Sequence, residues 1–422
     1  MTCEHINMGA YNLHIINTNT FKTVTIEVNF RRQVAKDEIT KRALLKNVLL
    51  NSTKRYPTER ELIIESENLY DLKLISSSAR MGNYTNLSFK MRFLNEKFSQ
   101  EKMNKQSIEF LMDILFNPNI QNDAFDKNVV DKCKEKLEKS IKTLKDNKVK
   151  YTISKLLETI EDKPYSYNSF GYLEDLEKID EKNLYNYYKD MLNNDLIDIF
   201  VVGDIDKTQI KDILKEHFQT RTFHKPKTDI LVKELEISKK VNHYTEEDEV
   251  NQSQLTFLCT LNGLSDFERK YTIRVYNEIL GGSSNSILFD TVREKNSYAY
   301  YVNSDQKSYD NILLIYSGIE PGNSEEVTKL IKKSLTDIEK GKISEEQINN
   351  AKETIISGIK ATLDSPNGII NTYYAMILVN SDDVETRIEN IKKVTKEDVI
   401  KLASKIHLHT TYLLEGVKDE DN

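Results

Sequence analysis

Two hydrophobic periods alternate along the chain, and their order divides it into elements. A strand is predicted over 23–30, a helix over 37–51 and a second strand region ending at 85–93. Apolar residues then recur at three- and four-residue intervals over 99–116 and 124–145, the spacing of buried helix faces. A further helix over 183–192 leads into a strongly apolar strand over 196–202, stopped by Gly203. The second half repeats this order. A strand over 254–260 precedes a helix over 269–280, strands over 297–305 and 311–319, and helices over 324–341 and 344–364.

The ends of the two halves match most closely. Ile179-Asp180-Glu181-Lys182-Asn183-Leu184 corresponds to Val394-Thr395-Lys396-Glu397-Asp398-Val399 at an offset of 215, each placing an N-cap residue just before a helix. Both helices run into a strand and a glycine, Phe200-Val201-Val202-Gly203 and Leu413-Leu414-Glu415-Gly416, at an offset of 213. The strands over 87–93 and 312–318 align at 225, and small loop insertions between related domains account for the changing offset. The pattern predicts an α+β fold of two tandem homologous domains, each a mostly antiparallel sheet backed by helices. The expected boundaries are 1–222 and 249–422, with the charged stretch 223–248, containing Lys225-Pro226-Lys227, as the connection.

Composition narrows the function classes. With 60 Lys and Arg against 67 Asp and Glu, the 422 residues carry a formal charge of −7, which lacks the basic footprint of a dedicated nucleic-acid binder. Thirteen glycines and six prolines exclude collagen-like and Pro/Gly low-complexity chains. Cys3, Cys133 and Cys259 are an odd number at wide spacings, which suggests neither a disulfide framework nor a cysteine zinc site and fits a reducing cytoplasm. No signal peptide is readable over residues 1–19, and no apolar stretch approaches the ~20 residues of a membrane span.

Candidate chemistry is sparse. None of the seven histidines sits four residues from another, so no helix presents a two-histidine face. His407 and His409 share one face of the last strand, but no third ligand is visible and a strand-surface role is the better reading. There is no GxSxG elbow, and Gly281-Gly282-Ser283-Ser284 lacks the lysine of a phosphate-binding loop. A helix C-cap after Leu280 explains the glycine pair.

The block Gly281-Gly282-Ser283-Ser284-Asn285-Ser286-Ile287-Leu288-Phe289, continuing into Val292-Arg293-Glu294-Lys295-Asn296-Ser297-Tyr298-Ala299-Tyr300, resembles the C-terminal domain of the insulinase/pitrilysin family of zinc peptidases. The resemblance covers nearly the whole chain. It implies that Arg293 and Tyr300 bind substrate and help stabilise the scissile carbonyl, a role suited to a guanidinium and a phenol facing developing negative charge. The family's inverted zinc motif, HxxEH, lies on the first helix, ten residues before a threonine that opens a Tyr-Pro turn. Ten residues before Thr53 this chain has Ala43-Leu44-Leu45-Lys46-Asn47. Both histidines and the glutamate are absent, and Lys46 brings a positive charge to the position of the base, which opposes Zn²⁺. The family's third ligand, a glutamate on a later helix, falls near Glu135 to Lys139.

Asn68-Leu69-Tyr70-Asp71 and Arg92-Phe93-Leu94-Asn95-Glu96-Lys97 are most similar to the zinc-less Firmicute branch, whose family label mentions elongation factor P modification. The resemblance implies half of a peptidase clam shell: no catalytic residue and no metal or cofactor in this chain, with zinc in a sister subunit. Arg293 and Tyr300 would act on a peptide or unfolded polypeptide. Partners expected are that zinc-bearing sister, or a second copy of this chain, and neither nucleic acid nor membrane. Two further readings stay open. One is a structural or peptide-binding pseudo-peptidase in which the Arg/Tyr pair is only inherited; the other is an active homodimer with unrecognised ligands.

Overall fold

The computed structural model of the chain describes residues 3–99, 102–218 and 229–416. The first sheet contains β1 (Cys3–Asn7), β2 (Asn12–Asn17), β3 (Thr23–Gln33), β4 (Lys73–Met81), β5 (Tyr84–Leu94) and β6 (Leu196–Gly203), in the order β1-β2-β6-β3-β5-β4. The second contains β7 (Asn242–Glu247), β8 (Ser253–Leu261), β9 (Ala299–Lys307), β10 (Ile312–Ile319) and β11 (Ile406–Glu415), in the order β9-β10-β8-β11-β7. Matching β4, β5, β3, β6 and β2 with β9, β10, β8, β11 and β7 superimposes the two orders. Directions match too: β2 is parallel to β6 and β7 to β11, while every other pair is antiparallel. The expected α+β repeat is therefore present as a shared topology.

The two parallel strands lie where the hydrophobic pattern predicts none. Strand β2 is short, and β7 (Asn242–Glu247) is almost entirely solvent-facing and polar, so it lacks the alternation that marks a half-buried strand. It also corrects the reading of 223–248 as a plain connection, because its second part forms a sheet edge; 223–228 lie outside the described residues.

Compact units are not contiguous in sequence. One gathers 1–142, 168–229 and Ile369–Tyr373; the other gathers 143–167, 230–368 and 374–422. The boundary expected at 222 thus differs from the structural division, most clearly at 143–167.

In the first unit, α1 (Ile39–Leu49), α2 (Glu59–Asn68), α3 (Met103–Phe116), α4 (Lys127–Lys142) and a later helix, Glu181–Asn194, build the helical side of the core. Val24, Ile26, Val28 and Phe30 of β3 enter that core. The alternate positions Thr25, Glu27, Asn29 and Arg31 are buried and polar, and the last three are paired: Lys90 with Glu27 at 2.8 Å, Asn86 donating to Asn29 at 2.6 Å, and Arg31 donating to Asp198 at 3.1 Å. Such pairing offsets the desolvation cost of buried polar groups.

In the second unit both faces of the sheet are apolar. Leu313 and Ile315 of β10 face the main core, whereas Ile312 and Leu314 join a separate cluster with Leu156, Ile160 and Tyr165. The helix Lys148–Glu158 supplies Leu156, which explains why Ile312-Leu313-Leu314-Ile315 reads as a continuous apolar run. Capping boxes begin the helices at Asp180 with Asn183 and at Thr395 with Asp398, so the matched hexapeptides do equivalent work.

Candidate functional site

Helix α1 carries the positions of the zinc motif, and its surroundings explain why it is a structural element here. Arg42 is fully buried and donates to Asp195 and to the Phe30 carbonyl, each at 2.5 Å, and to the Tyr187 hydroxyl at 3.0 Å. Arg32 pairs with the same Asp195 and with Glu38 at 2.8 Å, so two guanidiniums bracket one buried carboxylate. This network ties α1 to β3 and to the start of β6.

On the next positions the donors that zinc needs are missing. Ala43 is buried and has no ligand atom. The Asn47 amide donates to the Ala43 carbonyl at 3.5 Å. Lys46 is partly buried, and desolvation holds its ammonium below the usual lysine range; no ion pair to it is found among the described residues. Helix α4 packs on α1, but Glu135 is exposed and Glu138 pairs with Lys142. Cys133 is the residue turned inward toward the end of α1, accepting from the Asn51 amide at 3.5 Å. Burial pushes its thiol up to about 11, which keeps it neutral and inert. One cation, one apolar side chain, one self-satisfied amide and one protonated thiol do not fit Zn²⁺.

Arg293 and Tyr300 occupy a different setting. Arg293 closes the wide helical turn Phe289–Glu294, its guanidinium 4.9 Å from the Phe289 ring centre and its side chain 46% exposed. Its nearest carboxylate, Glu294, is 3.9 Å away, a loose contact at this exposure. Ser297 then takes a left-handed conformation, φ 55°, while its amide donates to the Arg293 carbonyl and reverses the chain into β9.

Strand β9 is an edge strand, and its ladder with β10 skips at Tyr300: Ala299 pairs with Ile319 and Tyr301 with Gly318. A bulge of this kind re-aims a side chain out of the alternation, and Tyr300 is 56% exposed. Gly318 makes room for the bulge, because a Cβ there would lie 2.3 Å from the Tyr301 ring. Gly281 breaks from helical geometry at φ −159°, ψ 19°, and a Cβ on it would meet the Ser304 amide at 2.8 Å. The glycine pair is thus a helix end under close backbone approach, as its sequence suggests. Arg293 and Tyr300 lie on consecutive elements without a hydrogen bond between them among the described residues.

The histidines distribute unevenly. His409 shares a 2.7 Å hydrogen bond with Thr410 and His243 one with Thr411, and neither belongs to a metal-competent cluster among the described residues. Cys3, His5 and His14 do cluster, with their ligand atoms all within 4.8 Å of one another. Sequence reading passed over this group. Its signal is Cys3-x-His5, one strand face, followed across the tight turn at Gly9 by His14.

A family model described as the peptidase M16 inactive domain matches residues 178–355. Across 97% of both chains, this one is 30% identical to a protein of Bacillus subtilis (strain 168) described as a probable inactive metalloprotease. A crystal structure of a conserved protein from Enterococcus faecalis V583 superimposes with a TM-score of 0.91 at 26% identity, covering 99% of this chain and 100% of that one. The peptidase M16 inactive domain structure from Pseudomonas fluorescens shares the fold, with a TM-score of 0.79 at 15% identity over 99% and 98% of the two chains. The fold is that of these peptidase relatives, and α1 lacks the donors of the family's zinc motif. The chain belongs to the insulinase/pitrilysin (M16) family of zinc peptidases.

Proposed function

We propose that this chain is the non-catalytic subunit of a heterodimeric zinc endopeptidase, pairing with a zinc-bearing sister of the same family and contributing Arg293 and Tyr300 to peptide binding in trans. The observation that carries the proposal is a contrast in exposure. The α1 region is buried, cationic and without ligands, whereas Arg293 and Tyr300 are exposed and tied to no strong internal partner. A bulge directs Tyr300 outward at the cost of a ladder pair, which favours use over inheritance. Positioned donors to a polarising carbonyl oxygen stabilise the charge that develops during attack.

The test mixes this chain with a zinc-bearing sister and follows peptide cleavage. Arg293→Ala and Tyr300→Phe should leave folding and pairing unchanged and lower turnover by about 10²–10³ each, the usual loss for one oxyanion donor. The double mutant should be less impaired than the product of the singles, because both residues act on one substrate group. Full activity with the double mutant would leave this chain as a structural or peptide-binding pseudo-peptidase.

A further inference from the structure

We infer that the outer edge of the first sheet holds a transition-metal site of its own, in which Cys3 Sγ, His5 Nδ1 and His14 Nδ1 bind one borderline-soft ion such as Zn²⁺. This site is unrelated to α1 and to the Arg293/Tyr300 pair, and it does not depend on the function proposed above.

The sheet register assembles it. Strands β1 and β2 are antiparallel with His5 directly opposite His14, and Cys3, two residues from His5, lies on the same face. The His5 and His14 Nδ1 atoms are 2.7 Å apart and Cys3 Sγ is 3.8 Å from His5 Nδ1. In a tetrahedral zinc site, Zn–N bonds of about 2.0–2.1 Å and Zn–S of about 2.3 Å put nitrogens roughly 3.3 Å apart and sulfur roughly 3.6 Å from nitrogen. The Cys3–His5 distance is already close to this, and the Cys3 sulfur lies within 4.8 Å of the His14 ligand atom. The nitrogens must part by about 0.6 Å, a movement open to β1 because it is an edge strand held on one side only.

A second shell orients the inner ligand. His14 is buried, its Nε2 lies 3.2 Å from Asp198 Oδ1, and its ring stacks on Phe200 at 4.5 Å. Asp198 is itself fully buried and also accepts from Arg31 at 3.1 Å and Asn12 at 2.9 Å. A carboxylate on Nε2 places the proton there and turns the Nδ1 lone pair toward His5 and Cys3, the arrangement by which metal-ligating histidines are fixed. His5 is exposed, so an ion has a path in and a water can complete the coordination. One sulfur and two imidazoles select zinc-like ions over Mg²⁺ or Ca²⁺, which require oxygen.

Metal binding must displace the Cys3 proton, because zinc is bound by the thiolate and not the thiol. The bond formed is Zn–S, the bond broken is S–H, and the proton leaves to buffer.

The full chain, stripped with a chelator, should take up one Zn²⁺, releasing about one proton per ion in calorimetry run in buffers of different ionisation enthalpy. The Co²⁺ form should show a thiolate-to-metal charge-transfer band. Cys3→Ser should abolish that band, and Cys3→Ser and His5→Ala should each weaken Zn²⁺ binding at least tenfold. Both residues lie on the strand edge, so circular dichroism should confirm that these variants fold. His407→Ala should leave binding unchanged. Zinc affinity unaffected by Cys3→Ser, a cobalt spectrum without the band, or no zinc uptake by the folded wild-type chain would each overturn the assignment.

Discussion

The two halves share a strand order but differ in the site-bearing segment that follows the matched strands β3 and β8. In the first half the segment is α1, with Arg42 and Ala43 sealed into the core and Lys46 partly buried. In the second it is the turn and bulge from Phe289 to Tyr300, whose charged and phenolic side chains stay in solvent. The difference teaches that loss of chemistry and loss of structure are separate events. Helix α1 remains a core element although it lacks the ligand donors, and the first histidine position is filled by Ala43, which packs into the core. The bulge on β9 instead sustains an outward-facing tyrosine that contributes little to packing.

The comparison is most open to breakage at the two arginines. Arg42→Ala should destabilise by about 3–5 kcal/mol, since it leaves the fully buried Asp195 with one guanidinium instead of two. Arg293→Ala should change stability by less than about 0.5 kcal/mol, as expected for an exposed side chain. Urea unfolding of both variants checks the pair, and similar losses would erase the contrast between the two segments.

A smaller effect probes the bulge. Gly318→Ala forces a methyl against the Tyr301 ring, and should cost about 1–3 kcal/mol by overpacking while shifting Tyr300 with the strand. A neutral result in thermal unfolding would mean that the bulge is not held by the glycine.

The smallest effect lies at Lys46. Its folded-state pKa is depressed by desolvation, so the unfolded chain binds protons more readily and wild-type stability should rise as pH climbs toward the ordinary lysine value near 10.4. Lys46→Met should therefore stabilise slightly, by up to about 1 kcal/mol at neutral pH, with the advantage shrinking as pH rises toward ~10 and lost above it. A destabilised variant would show that the ammonium has a partner and that α1 still uses its charge.

Much of the fold was legible because each predicted element buries one face. Strands β3, β5, β6, β8, β10 and β11 carry the apolar positions that line the cores, and the paired N-caps at Asp180 and Thr395 mark equivalent helices. Strands β2 and β7 escaped. Strand β2 forms a hairpin with β1 but joins the rest of the sheet through a parallel pairing with β6, and β7, paired in parallel with β11, has no hairpin signal and is polar because its side chains face water. Of the candidate site, the emptied zinc positions and the Arg293/Tyr300 pair were legible only through the resemblance to a family motif. The Cys3/His5/His14 cluster was not, because a Cys-x-His step gains meaning only when a partner strand sets His14 opposite His5.

The sequence by itself determined the repeat, the helix and strand periods and the absence of zinc donors on α1, since these are properties of residue type and local spacing. Tertiary structure alone decided the rest. It placed 143–167 with the second unit, making the alternate face of β10 apolar. It set Asp198 behind His14, because the parallel register of β2 and β6 joins residues 184 positions apart. It also turned Tyr300 outward, because the ladder skips one residue opposite a glycine that a side chain could not replace. Long-range register carries no local signal, so only the folded sheet reveals which side chains meet.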